Sequence, residues 1–215
     1  MDRVSAMVLA GGFSSRMGSS KAELMLGSRS LIALQTDKLK HLGIRDIMLS
    51  GYPKKLPGTR TVPDEYPHRG PISGIHACLH AAVFPACLAI AVDTPLVPDT
   101  VLSRLIQEHT EGITILEHAG KLEPLMAVYD CTLAEHAASV LHSEKPRLMN
   151  LLANESVHIV SYTGDEALLS NCNTPEEYAH ICTLWEVLRP SETYGSCSLD
   201  YDSCSIRQRI PHGSC

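Results

Sequence analysis

A chain of 215 residues with 44% hydrophobic and 20% charged side chains reads as one soluble globular domain, large enough to bury about 70% of its unfolded surface. No heptad or Gly-X-Y period runs through it, and no apolar run approaches the roughly 18 residues of a membrane span, which excludes coiled coil, collagen and a membrane helix. The net charge of −6 is uneven: residues 1–60 carry ten Lys/Arg against four Asp/Glu, and the rest carry eight against twenty. Solvated helix faces account for this as well as a polyanion-receiving N-terminal part does. An aromatic content of 5%, with no basic run interleaved with aromatics, argues against nucleic acid as a partner.

The opening MDRVSAMVLAGG holds too short an apolar stretch for a secretory signal and runs into glycines, so a cytoplasmic location is expected. Cysteine usage agrees. Cys78, Cys87, Cys131, Cys172 and Cys182 sit singly among apolar residues, as reduced buried thiols do. No C-x-x-C pair occurs, and Cys197, Cys204 and Cys215 have no metal-cage spacing.

In chain order, Val4 to Ala10 is a short apolar run ending in Gly11-Gly12, as a buried strand would. Ser30 to Leu42 spaces Leu31, Leu34, Lys38, Leu39 and Leu42 as a helix, and Gly43 stops it. Asp46–Ser50 and Arg60–Pro63 are the next strands, followed by a helix over Pro71–Val83 and the most apolar strand, Cys87–Val92. Pro98 suits the first position of a helix striped by Val101, Leu102, Leu105 and Ile106. Strands at Ile113–Leu116 and Leu125–Tyr129 flank a turn at Ala119-Gly120-Lys121, then come helices at Thr132–His142 and Arg147–Leu152 and a strand at Val157–Tyr162. Thr174-Pro175-Glu176-Glu177 is a helix start with a capping threonine and a glutamate able to return the bond. Such alternation predicts a Rossmann-like open, mostly parallel sheet with helices on both faces. It spans residues 1–189, and the Ser- and Cys-containing stretch 190–215 reads as a poorly ordered tail.

Ligands of open α/β sheets bind beyond the carboxyl ends of the strands, so the loops there are the candidates. After the first strand, Gly11 and Gly12 let backbone N–H groups approach a ligand, and Arg16 and Lys21 could offset a triphosphate's charge. The plain alternative is a tight turn with two solvated cations. After the strand at 87–92, Asp93 stands alone at an apolar tip, where hydrated Mg²⁺ is a natural partner and helix capping the alternative. Asp64 and then Gly70-Pro71-Ile72-Ser73-Gly74 follow the third strand and allow close approach of a base or ribose. His76 and His80, four apart, lack a third ligand and read as helix-surface histidines. Ser14 and Ser15 have no triad pattern, and the methionines read as core filler.

Taken together, LAGGxSxRMGxxK over 9–21, GPISG over 70–74, DTPL over 93–96 and Asn171-Cys172-Asn173-Thr174-Pro175-Glu176-Glu177 strongly resemble the molybdenum cofactor guanylyltransferase group of nucleotidyltransferases. The resemblance covers about residues 4–188. It implies a nucleotidyltransferase-type fold and Mg²⁺-dependent transfer of GMP from GTP to molybdopterin. Leu9, Ala10, Gly11 and Gly12 would meet the nucleotide, Lys21 and Arg16 its phosphates, Asp64 and Gly74 the nucleoside, and Asp93 the metal. Ser50 stands where members often have Asn, which leaves CTP open as the nucleotide. Glu123 and Asn173 would face the acceptor. The other readings are a sugar- or alcohol-phosphate nucleotidyltransferase and a non-catalytic nucleotide-binding partner of molybdoenzymes or their chaperones.

Overall fold

The computed structural model describes residues 4–11, 20–66 and 69–188. The tail 190–215 and positions 12–19 of the first loop lie outside them. The apolar run at the start forms β1 (Val4–Leu9), whose six residues are all buried. It sits inside a seven-stranded sheet of order β5-β4-β1-β6-β8-β7-β9, in which β4 is Ile47–Ser50, β5 Arg60–Val62, β6 Ala86–Ala91, β7 Ile113–His118, β8 Lys121–Asp130 and β9 Val157–Ser161. β1 pairs in parallel with β4 and β6, β4 with β5, and β7 with β9, while β8 runs antiparallel between β6 and β7. The carboxyl ends of all strands except β8 therefore share one rim.

Helices α1 (Leu31–His41), α3 (Asp99–Glu108) and α5 (Pro175–Leu188) cover one face, and α2 (Pro71–Ala81) and α4 (Ala134–His142) cover the other. Successive residues of β1 feed opposite layers. Ala6 and Val8 pack with Leu31, Leu39, Leu102 and Ile181, whereas Met7 and Leu9 pack with Ile72, Ile75 and Leu141. A sheet buried on both faces needs apolar residues at every position, which is why β1 and β6 read as unbroken apolar runs. At α5, Glu177 N–H donates to Thr174 Oγ1 at 3.2 Å and Thr174 N–H to Glu177 Oε2 at 3.1 Å, completing the capping box.

The expected elements recur with local differences. Pro98 caps α3 from outside, and the helix begins at Asp99. The segment 147–152 is a 3-10 turn, Leu148–Leu152, because Pro146 and the positive-φ Asn154 leave only seven residues between them, too short a stretch to favour an α-helix. Cys131–Leu133 is likewise a 3-10 turn leading into α4. The strands β7 and β8 run to a tight hairpin at Ala119 and Gly120, both at positive φ (49° and 76°), as a primed two-residue turn requires. The two-residue hairpin of β2 (Met25–Leu26) and β3 (Arg29–Ser30) is too short to show in any periodicity. Met7, Met48 and Met126 are core residues, but Met25 and Met149 are exposed. His76 is buried, not on the surface, with its ring edge-on to Tyr66 and His80. Five cysteines, Cys78, Cys87, Cys131, Cys172 and Cys182, are free thiols. Burial pushes Cys78 up to about 12 and Cys131 to about 11, so they act as small apolar residues.

Candidate active site

Asp93 follows β6 directly, and its segment is pinned from several sides. Val92 N–H bonds Leu9 O at 3.1 Å, and Cys172 N–H bonds Asp93 O at 2.9 Å. From α1, Gln35 Nε2 donates to Ala91 O at 2.8 Å and Thr94 O at 3.0 Å, and Lys38 Nζ donates to Pro95 O at 3.0 Å and Val97 O at 2.5 Å. Burial pulls the Lys38 ammonium down to about 8, partly opposed by the charge of Asp99. Gln35 and Lys38 were missed as site residues. Their signal was present, however: polar side chains three apart on the apolar stripe of α1 are costly unless they have buried partners.

Held this way, the Asp93 carboxylate meets the first loop. Lys21 Nζ lies 2.8 Å from Asp93 Oδ2 and also donates to Asn173 Oδ1, with the Lys21 and Asp93 side chains 18% and 19% exposed. Three residues separated by 72 and 152 positions thus converge on one charge. Asp93 does not cap α3; it makes an ion pair at the rim. Asn173, expected to face the acceptor, stands beside Lys21, its N–H held by Glu177 Oε2 at 2.6 Å.

The nucleoside side is defined by close backbone approach. Ala10 N–H bonds Ser50 O at 2.9 Å. Gly51 sits at φ +72°, and a Cβ there would come within 2.4 Å of Gly11 Cα, so β1 and β4 end glycine against glycine. A Cβ on Gly74 would lie 2.4 Å from Ser50 Oγ and 3.0 Å from the Leu9 side chain. Leu9, Ala10, Gly11, Ser50 and Gly74 are therefore neighbours. Asp64 joins them through α2: its Oδ1 accepts the Ser73 hydroxyl and Tyr66 N–H, the latter at 2.9 Å. Ser73, which ties Asp64 to the residue before Gly74, is a further residue the motif reading passed over. Glu123 opens β8 at the same rim, with His118 Nε2 3.0 Å from its Oε1. Gly12 and Arg16 fall outside the described residues.

Two oxygens, Asp93 Oδ2 and Asn173 Oδ1, share a single cation in Lys21, so this spot suits positive charge held by hard oxygen donors. No group of three or more His, Cys, Asp or Glu side chains able to hold a metal occurs among the described residues. That donor set fits an ion such as Mg²⁺, which takes one or two protein carboxylates and completes its shell with water and substrate phosphates.

An open, mostly parallel sheet whose carboxyl rim joins a close Gly11–Gly51 approach to an oxygen-lined cation position is an α/β fold with its ligand-binding rim formed. Residues 6–159 match the MobA-like NTP transferase domain family. A molybdenum cofactor guanylyltransferase of Rhizobium meliloti is 34% identical over 190 residues, spanning 80% of this chain and 87% of that protein. Among solved structures, the molybdopterin-guanine dinucleotide biosynthesis protein A of Archaeoglobus fulgidus superposes with a TM-score of 0.71 at 23% identity, covering 85% of this chain and 98% of its own. A Mycobacterium tuberculosis protein solved in complex with manganese superposes at 0.68 with 18% identity, covering 85% and 98%. The chain belongs to the MobA-like NTP transferase family and is a nucleotidyltransferase. No helix of the described residues is long and apolar enough to cross a membrane.

Proposed function

We propose that this chain transfers GMP from GTP to the terminal phosphate of molybdopterin, giving the guanine dinucleotide cofactor and pyrophosphate, with Mg²⁺ at Asp93. The observation that carries the reading is the Lys21 ammonium set between Asp93 and Asn173 at the rim where Gly11 closes on Gly51. In the reaction an oxygen of the acceptor phosphate attacks the α-phosphorus of GTP. The bond to the bridging oxygen breaks, and pyrophosphate leaves with that electron pair. The protein has to align the two phosphates and offset charge on the leaving group. Lys21 leaves its carboxylate to meet the phosphates, and Arg16 adds a second cation. The backbone of Leu9 to Gly12 lies along the nucleotide, while Ser50, Asp64 and Gly74 seat the nucleoside. When bound at Asp93, Mg²⁺ neutralises phosphate charge. The catalytic unit is residues 1–189, with 190–215 an appendage.

Pyrophosphate release with GTP, Mg²⁺ and molybdopterin tests this reading directly, and its absence with active acceptor overturns it. A CTP-using transferase is the second reading, favoured by the small Ser50 hydroxyl where an amide would read a base from both sides. Thermal shifts with GTP, CTP, ATP and UTP in Mg²⁺ separate the two: stabilisation by GTP supports guanine, and preference for CTP replaces it.

A further inference from the structure

Beyond the nucleotide half, the sheet splits at the rim. β6 and β8 stay paired up to Ile90 opposite Met126; there β6 departs toward Asp93 with Val92 bonded to Leu9. β8 stays with β7, pairing Glu123 with Leu116, Leu122 with Glu117 and Lys121 with His118. Asp93 lies three residues after Ile90 and Glu123 three before Met126, so in this antiparallel pair the two carboxylates stand on opposite lips of the split. A bulge between the Ile115–Ala127 and Leu116–Glu123 pairs sets residues 124–126 apart, and the buried Tyr129 hydroxyl fixes it by donating to Pro124 O at 2.7 Å.

Leu116 belongs to the core layer of α1, α3 and α5, so its cross-strand partner Glu123 and its second neighbour His118 share that face. Cys172, next to Asn173, lies in the same layer. His118 Nδ1 is buried with no hydrogen-bond partner, while Nε2 meets Glu123 Oε1 at 3.0 Å. Nε2 is therefore the ring nitrogen that faces the carboxylate, and since a carboxylate only accepts, Nε2–H is the donor of that contact. His118 thus aims Glu123 while leaving Oε2 and further lone pairs of the carboxylate for a ligand.

We propose that the His118–Glu123 pair selects the acceptor. Glu123 takes the adjacent ring N–H and exocyclic amine of a 2-amino-4-oxopyrimidine edge in two parallel bonds, and His118 is the positioning residue. The assignment rests on the proposed function for the identity of that heterocycle. Guanine presents the same pair of donors as a pterin, and the location of the pair across the split from β1, β4 and α2 assigns it to the acceptor.

The test is steady-state pyrophosphate release by the full chain, varying GTP and molybdopterin separately. Loss of a charge-assisted pair predicts that Glu123→Gln raises the acceptor KM by about tenfold or more while the GTP KM stays within about twofold. His118→Gln, which keeps a donor, stays near wild type, whereas His118→Phe shifts the acceptor KM alone. An unchanged acceptor KM in Glu123→Gln, or a rise in the GTP KM instead, overturns the assignment. If wild type releases no pyrophosphate, the proposed function fails, and the pair is judged by fluorescence titration with a free pterin. Binding by wild type that Glu123→Gln weakens supports it; equal binding, or none, ends it.

Discussion

Two ion pairs stand at opposite ends of the same sheet and behave as opposites. At the amino end Asp46 is saturated: it accepts from Arg60 Nε at 2.8 Å and Nη2 at 3.1 Å, from Ser5 Oγ at 2.6 Å and from Val83 N–H at 3.0 Å. Burial alone would raise its carboxyl, but the bonds from Arg60, Ser5 and Val83 outweigh it and hold the group below the usual range. At the carboxyl end Asp93 has Lys21 on one oxygen, and Lys21 is shared with Asn173. One carboxylate is committed to holding strands together. The other is held by its backbone, so its side chain stays free to exchange partners. Under the proposed function Asp93 trades its lysine for a metal, and a carboxylate that does so cannot be as fully bonded as one that only stabilises.

The sharpest way to break that comparison is at the carboxyl end. Under the proposed function, Lys21→Met removes a cation that faces the phosphates and Asp93→Asn the carboxylate that would hold the metal, each worth about 10²–10³-fold in kcat by analogy with a lost oxyanion donor. Both are expected to keep the melting temperature within about 2 °C, since the pair is partly solvated. Full turnover in either variant would sink the assignment; loss of turnover accompanied by a large drop in melting temperature would make the pair structural instead.

The complementary variant is Asp46→Asn. It leaves Arg60 and two backbone or hydroxyl donors short of an acceptor, at about 2–3 kcal/mol or roughly 5–10 °C in melting temperature, with kcat/KM of the folded enzyme unchanged. The sign with pH follows from the lowered carboxyl. Its stabilisation is present above the ordinary carboxylate pKa and disappears as pH falls through the folded value. The gap between wild type and Asp46→Asn should therefore close in acid, which denaturant melts at pH 7 and pH 3 would read.

Lys38 sharpens the comparison from beneath Asp93. Its pKa is lowered to about 8, so between pH 8 and its unfolded value the unfolded chain binds more protons than the native one, and this residue makes stability rise with pH. The buried thiols act the other way, since the unfolded chain releases their protons first. Subtracting Lys38→Met from wild type isolates the lysine. The difference should move toward wild type by on the order of 1–2 kcal/mol from pH 8 to pH 10. No movement would mean that the ammonium is solvated and does not brace the 93–97 segment.

How much of this was legible in the sequence follows from how local each feature is. The capping box at Thr174, the turn glycines and the apolar strands are written within a few residues and recur in the structure. Asp93 was legible because a lone carboxylate at an apolar strand tip has no cheap structural explanation. Its convergence with Asn173 on Lys21 was not, since Asp93 and Asn173 lie 72 and 152 positions from Lys21 and only the strand order closes that gap. The bond from Lys21 to Asn173 was illegible for the same reason. The burial of His76 depends on the Tyr66 ring arriving from another loop, which no spacing within α2 records.

The smallest effect concerns how Asn173 is held. Thr174 Oγ1 caps Glu177 N–H, so Thr174→Ala costs about 1 kcal/mol, or some 2–4 °C, as lost helix caps do. It leaves the bond from Asn173 N–H to Glu177 Oε2 in place, and turnover should stay within about twofold of wild type. Glu177→Ala removes that bond and the one from Thr174 N–H together. Its stability loss is similar, but Asn173 is then free to swing away from Lys21, and kcat should fall by about tenfold, equivalent to one misplaced contact. Equal kcat in the two variants would mean that the cap supports α5 alone and that Asn173 finds Lys21 without it.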